Sequence, residues 1–435
     1  MLKTTILTAA LLCATSLAAM AQDWPVADIK PTLQTPILTE ADNDADADDP
    51  AIFINPTDAA KSLVVAAAKN GGIRVYGLDG KLIQTIIPAE NGRINNVDIV
   101  YGFTLDDGAK ADVIVGSDRG LDIIRTWRID PAAAEPLSEI TDPAASRAFP
   151  KRYLPDAAET EDNPVDDQNT VYGLAAWNDL VTGTVWVVGT QRSQPTVGVF
   201  KLTATAGGHA LAVLDHDFRA PAEQSGQNLF EENEDDPLLD FSPQFEGTVI
   251  DRTTGIVYAG QEDVGVWTVP VTGGEPVLVY KTRGSSKSPF NNPDSVISRD
   301  IEGFTIYYAA SGTKYLLASS QGGAHGDAPA PDAPYDDSFA AFAIGDQLEL
   351  LGSFRVAAEG DMDAVQESDG ADVTSVALPG FENGLFITQD GYAADLNGLD
   401  GETASSNFKL VDWAAIANSF TPPLEITLQG WDPRK

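Results

Sequence analysis

The sequence predicts an all-β protein, a six-bladed β-propeller whose four-stranded antiparallel blades surround a central channel. Three observations predict it. Short runs rich in β-branched and aromatic residues, each ended by turn residues, fill most of the chain. They group into six sets of about four, repeating every 40–55 residues or so, which is the period of propeller blades. The sets also share a polar frame of acid, strand, turn, strand and polar tip. Residues 299–323, RDIEGFTIYYAASGTKYLLASSQGG, show that frame most fully. Asp300 and Glu302 form its acidic turn, Gly303 is read as a sharp bend, and Gln321 with two glycines ends the second strand. A pair of β-sandwiches or a jelly roll is the competing all-β reading, but neither requires a fixed period.

In chain order, residues 22–47 are a Pro/Asp-rich lead-in containing one strand-like stretch, LQTPILTE at 33–40. DNDADADDP at 42–50 has acids at alternate positions like a calcium loop. Ala47 and Phe53 stand where an EF-hand needs Gly and Glu, so a tight acidic turn is expected. The sets then run from AIFINP to KLIQTIIP (51–88), NNVDIVYGF to LSEIT (95–141), and VYGLAAW to ALAVLDHDF (171–218). FEGTVID to PVLVYKT (245–282), FTIYYAA to LELLGSFRV (304–356), and DVTSVAL to NFKLVDW (372–413) complete them, with a short helix at AAIANSF. The last set is one strand short, and LQTPILTE is expected to complete it and close the ring. Stretches 155–169, 219–244 and 324–337, rich in Pro, Asp and Glu, read as solvated insertions.

Of 435 residues, the first 21 have the form of a secretory signal: basic Lys3, an apolar run, and a small-residue cleavage site after Ala21. One domain is expected over 22–435, secreted or periplasmic and monomeric. Cys13, the single cysteine, lies in the signal, which excludes disulfide, thiolate and zinc–thiolate chemistry from the exported chain. No other stretch is long and apolar enough to span a bilayer, so no membrane partner is expected. A net charge of −38 opposes binding to nucleic acid. The apolar fraction of 43% argues against acid-driven disorder.

Aligned blade by blade, the sets expose two columns. The first, where each set begins, holds Asp48 and Asp49; Asn95, Asn96 and Asp98; Tyr172; Glu246; Glu302; and Asp369 with Asp372. The second, where each second strand ends, holds Lys69, Arg119, Arg192, Glu262, Gln321, and Gln389 with Asp390. A propeller brings such positions into rings at one face. Two carboxylates 4 Å apart repel by roughly 4 kcal/mol at an effective dielectric of about 20. A crowd of them must therefore take up protons or a cation. Oxygen-only donors favour a hard ion, Ca²⁺ ahead of Mg²⁺. The candidate metal ligands are Asp48, Asp49, Asn96, Asp98, Glu246, Glu262, Glu302, Asp369 and Asp372. Lys69, Arg119 and Arg192, with Tyr172 and Gln321, form a side suited to a multiply phosphorylated ligand. Turn chemistry alone also places acids at strand starts, but does not sort the second column by sign. No Arg-His-Gly motif, GxSxG elbow or P-loop occurs, and His209, His216 and His325 fall in outer strands or loops. Metal-assisted attack by water remains for phosphate chemistry.

DDPAIF (48–53), RINNVDIVY (93–101), FEG (245–247), RDIEGFTIYYAA (299–310), YLLASSQG (315–322), SDGADV (368–373), NGLFITQDG (383–391) and the final DPRK (432–435) resemble the β-propeller phytases. These are calcium-dependent alkaline phytases, and the likeness spans Asp48 to the C-terminus. The resemblance implies several calcium ions at the top of the channel and stepwise release of phosphate from myo-inositol hexakisphosphate, phytate, taken as its calcium complex. It implies calcium ligands at Asp49, Asp98, Glu246, Glu302 and Asp372. It further implies that Lys69, Arg119 and Tyr172 bind the scissile phosphate, so that these three with Glu246 and Glu302 are the catalytic set. Lys69-Asn70 stands where many relatives have two lysines, and Arg192-Ser193 where a Lys-Glu pair is usual, which weakens the second phosphate site. A calcium-dependent lactonase or esterase, and a non-enzymatic propeller with structural calcium, are the alternatives.

Overall fold

The computed structural model describes residues 24–149, 169–221, 223–224, 227–228, 244–284, 292–323, 333–393, 405–427 and 431–434. The expected signal with its cleavage after Ala21, His325 and most of the three insertions lie outside the described residues. Three short strands precede the first blade: β1 (Val26–Ile29), β2 (Leu33–Gln34) and β3 (Leu38–Thr39). The stretch expected as an acidic turn is one, with Asn43 and Asp44 at φ 69° and 52°.

Blade one comprises β4 (Pro50–Phe53), β5 (Leu63–Ala67), β6 (Ile73–Gly77) and β7 (Leu82–Ile86). Blade two has β8 (Ile94–Thr104), β9 (Lys110–Asp118), β10 (Ile123–Ile129) and β11 (Leu137–Glu139). Blade three has β12 (Val171–Asn178), β13 (Val185–Gln191), β14 (Thr196–Thr205) and β15 (His209–Arg219). A small hairpin, β16 (Glu223–Gln224) with β17 (Gln227–Asn228), stands apart. Blade four has β18 (Phe245–Asp251), β19 (Ile256–Gln261), β20 (Gly265–Pro270) and β21 (Val277–Lys281). Blade five has β22 (Phe304–Tyr308), β23 (Lys314–Ser320), β24 (Ser338–Ile344) and β25 (Leu348–Val356). Blade six has β26 (Ala371–Thr374), β27 (Leu385–Asp390) and β28 (Ser405–Asp412), followed by helix α1 (Trp413–Ala417).

Within each blade the strands pair in sequence order, and all of these pairings are antiparallel. The expected closure is present: β2 and β3 both pair with β28, giving blade six its outer strand. The sequence reading missed β1, which pairs in parallel with β25 as a fifth strand of blade five. The inner strands β4, β8, β12, β18, β22 and β26 touch in that order, and β26 returns to β4.

Six buried apolar clusters fill the spaces between neighbouring blades. Blades five and six, for example, pack through Phe339, Phe354 and Phe386, with Trp413 stacked 4.0 Å from Tyr307. A blade buried on both faces needs apolar residues on both, which is why its strands read as continuous runs and not as alternation. Among the described residues no helix is long and apolar enough to cross a membrane. His209 and His216 lie on the outer strand β15, as expected.

The blades meet closely at the axis. A Cβ on Gly173, Gly247 or Gly303 would lie 1.8, 2.7 or 2.4 Å from a backbone oxygen of the next blade, those of Glu246, Glu302 and Asp369. Gly303 is therefore needed for close approach, and the sharp bend read from the sequence is not its reason. Side chains stitch the same seam: Val97 N–H donates to Asp49 (3.1 Å), Ala176 N–H to Asp98 (2.7 Å) and Ile52 N–H to Asp372 (2.8 Å).

Candidate functional site

Members of both columns meet around the axis, one column set by the starts of the inner strands and the other by the turns after the second strands. Glu246 in β18, Glu262 after β19 and Glu302 before β22 are all buried. One carboxylate oxygen from each lies within 4.8 Å of the other two. Gln244 orients Glu262 by an amide hydrogen bond of 2.8 Å. Glu302 Oε2 is buried with no hydrogen-bond partner among the described residues. Burial, reinforced by the charges of Glu246 and Glu262, pushes the Glu302 carboxyl well above its ordinary range. Three buried acids with an orphaned oxygen suit a hard cation, so the donor set fits calcium.

Asn95 and Arg119 stand beside this triad. Asn95 is fully buried; its amide nitrogen donates to Glu246 Oε1 (3.0 Å), Asn96 Oδ1 (2.9 Å) and, more weakly, Asp48 Oδ1 (3.4 Å). Its oxygen accepts from Arg119 Nη1 at 2.8 Å. Arg119 is 6% exposed, its Nε has no partner among the described residues, and its guanidinium lies 5.1 Å from the ring centre of Tyr172. No carboxylate pairs with Arg119 among the described residues, which leaves a buried cation suited to an anion. Burial and then the charges of Glu246 and Glu302 push the Tyr172 phenol well above its usual range.

Lys69 differs from the expectation of an open cationic wall. It sits in the turn after β5 with φ 44°, and its ammonium lies 2.7 Å from Asp46, 3.5 Å from Asp369 and 3.6 Å from Asp48. Burial would lower its pKa, but these carboxylates outweigh burial and hold the ammonium charged. Burial pushes Asp369 up to about 7 against the pull of Lys69, and pushes Asp48 well above its usual range. Gln321 donates to Asp369 Oδ1 at 2.5 Å, and Gln389 Oε1 accepts from Asp369 N. Arg192 follows β13; its backbone N–H donates to Thr170, and its half-buried guanidinium makes no ion pair among the described residues. Asp390 instead pairs with the fully buried Lys409 at 2.7 Å.

The expected metal set is thus split into two tiers. Glu246, Glu262, Glu302, Asp48, Asn96 and Asp369 share the mouth. Asp49, Asp98 and Asp372 line the channel cavity, whose wall also carries Arg252 and is bordered by Asn96 and Glu302, which the two tiers share. Arg252 Nη2 lies 3.0 Å from Asp98 Oδ1. Sequence reasoning missed Arg252, which sits in the polar turn DRTTG, and Asp46, which fell in a stretch read only as a turn.

A sequence profile described as Phytase matches residues 1–148 and 237–435. The chain is 28% identical over 395 residues to the 3-phytase of Bacillus subtilis strain 168, covering 89% of this chain and 85% of that protein. Among solved structures, a luciferin-regenerating enzyme aligns over 91% of this chain and 98% of its own, with 9% identity and a TM-score of 0.43. The periplasmic gluconolactonase PpgL of Pseudomonas aeruginosa aligns over 70% of each chain, with 17% identity and a TM-score of 0.37.

Proposed function

This chain belongs to the phytase family, and on that premise we propose that it releases phosphate from phytate by calcium-dependent hydrolysis. The observation that carries the reading is the pairing at one mouth of a buried arginine, Arg119, that has no carboxylate partner among the described residues, and three converging buried glutamates. Glu246, Glu262 and Glu302 would hold calcium, with Asp48, Asn96 and Asp369 at its margin. Calcium bound there would supply Lewis-acid neutralisation for phosphate oxygens and for an attacking water.

The chain's own groups do the rest. Arg119 offers its fork to a phosphate, held at a set distance from Glu246 by Asn95. The Tyr172 phenol, kept protonated at neutral pH, can donate a hydrogen bond without adding negative charge. Lys69 lessens the repulsion that Asp46, Asp48 and Asp369 would exert on an incoming anion. Arg192 and Gln321, on flanking blades, suit a second phosphate. Phytate carries a charge on the order of minus ten, given up to two per phosphate. A protein of net charge −38 repels such a ligand, which favours its arrival as a calcium complex. The signal-like first 21 residues suit a secreted or periplasmic enzyme.

Phosphate release from phytate, assayed with calcium and with excess chelator, tests the reading. Wild type should turn over only with calcium, and Glu302→Gln should lose about 100-fold or more in kcat. Chelator-resistant release, or lactone opening without phosphate release, would overturn it.

A further inference from the structure

Asp49, Asp98 and Asp372 line a cavity together with Arg252, Tyr101 and Tyr308, and Asn96 and Glu302 border it toward the other glutamates. Such a ring of acids on an axis looks like a second calcium site, but the hydrogen bonds speak otherwise. Asp98 accepts from Ala176 N–H (2.7 Å) through one oxygen, and from Ile99 N–H (2.6 Å) and Arg252 Nη2 (3.0 Å) through the other. Asp372 accepts from Ile52 N–H (2.8 Å) through one oxygen, and from Val373 N–H (2.7 Å) and Thr305 Oγ1 (3.0 Å) through the other. With about four lone-pair sites per carboxylate, three donors leave Asp98 and Asp372 little capacity for a metal, so that Asp49, which accepts Val97 N–H at 3.1 Å, is the one acid of the ring with oxygen to spare. Glu302, which borders the same cavity on the side of the glutamates, keeps an oxygen with no hydrogen-bond partner among the described residues and marks the contrast.

Arg252 is not a stray surface side chain. Its own N–H donates to the Tyr308 hydroxyl at 2.8 Å, and its guanidinium carbon lies 5.9 Å from the ring centre of Tyr101. It enters from the turn after β18, at the end of the blade away from the glutamates. The backbone at Arg252 is thus pinned by Tyr308, and the cation itself is held by Asp98 and beside the Tyr101 ring. We propose that Arg252 is the built-in cation of this lower tier, standing where a divalent ion would otherwise neutralise Asp98 and Asp372, so that calcium binding is confined to the upper tier. The inference rests on the reading that the chain takes up calcium. A covalently attached cation cannot be removed by a chelator, and it keeps the lower seam between blades intact when the upper tier is stripped.

The test counts calcium ions per chain after chelator treatment and equilibrium dialysis against calcium chloride, using the full chain without substrate. Arg252→Met should hold one ion more than wild type, Arg252→Lys the same number as wild type, and Asp98→Asn added to Arg252→Met should lose the extra ion. Asp98→Asn alone should leave the wild-type count unchanged, and this arm decides the matter if Arg252→Met does not fold by circular dichroism. Equal, non-zero counts in wild type and folded Arg252→Met would overturn the inference and spare the calcium reading. Loss of one ion in Asp98→Asn alone would do the same. A wild type that binds no calcium would sink the calcium reading and this inference together.

Discussion

With its amide oxygen fixed by Arg119 and its amide nitrogen turned to Glu246, Asn95 has a single orientation that satisfies both. The flipped amide would set N–H against guanidinium and oxygen against carboxylate, two repulsions in a site without solvent to relieve them. One side chain therefore sets the spacing between the cation and the acids. Asn95→Leu keeps the branching and the number of side-chain heavy atoms but removes every polar contact, so Arg119 and Glu246 lose their common support. We expect kcat to fall by about 100-fold, the scale of an ångström of misplacement. Asn95→Asp should act differently, since a new carboxylate would pair with Arg119 and occupy it. Weakened inhibition by inorganic phosphate in Asn95→Asp, with a smaller change in Asn95→Leu, is the measurable signature of a positioning role.

Between elements, Asp122 ties the turn after β9 to the start of β12. Its carboxylate accepts from Val171 N–H (2.9 Å), Phe149 N–H (3.1 Å) and Arg147 Nε (2.9 Å), at a backbone φ of 56°. Burial pushes its pKa up to about 6 from an ordinary 3.8, against these hydrogen bonds. Because the folded pKa is the higher one, the folded chain holds a proton between those values that the unfolded chain has released. Its stabilising contribution is complete below about pH 4 and is lost as pH rises through 6, by about 3 kcal/mol at most. Urea unfolding of wild type and Asp122→Asn should show the stability difference moving against wild type by that order between pH 4 and pH 7. At this scale the sequence was informative where burial is two-sided. Within the first and third sets, the runs 63–68 and 185–188 read as strands because nothing polar interrupts them. The VADI strand escaped notice because four residues among Pro and Asp leave no such run. Of the site, Glu246, Glu302 and Arg119 could be read because the blade period turns sequence position into ring position. The pairing of Lys69 with three carboxylates could not, since distances across the axis have no imprint in the order of residues. Arg252 was hidden for another reason, because a polar turn looks solvated whether it faces water or a channel.

For the molecule as a whole, the strap formed by β1, β2 and β3 is the decisive feature. It adds a strand to blade five and the outer strand to blade six. Removing residues 24–39 would expose the edges of β25 and β28 and unseat Leu38 from the cluster between blades six and one. Such a truncated chain should elute as aggregates on gel filtration, whereas removal of residues 1–21 should leave a monomer. The strap also bears on the timing of folding. The first four blades are each built from consecutive strands and can assemble in turn as the polypeptide is made. The last two are completed by strands made long before them. An early segment is thus left unmatched until synthesis is nearly over, and the circle shuts as the final act of a long, otherwise local construction.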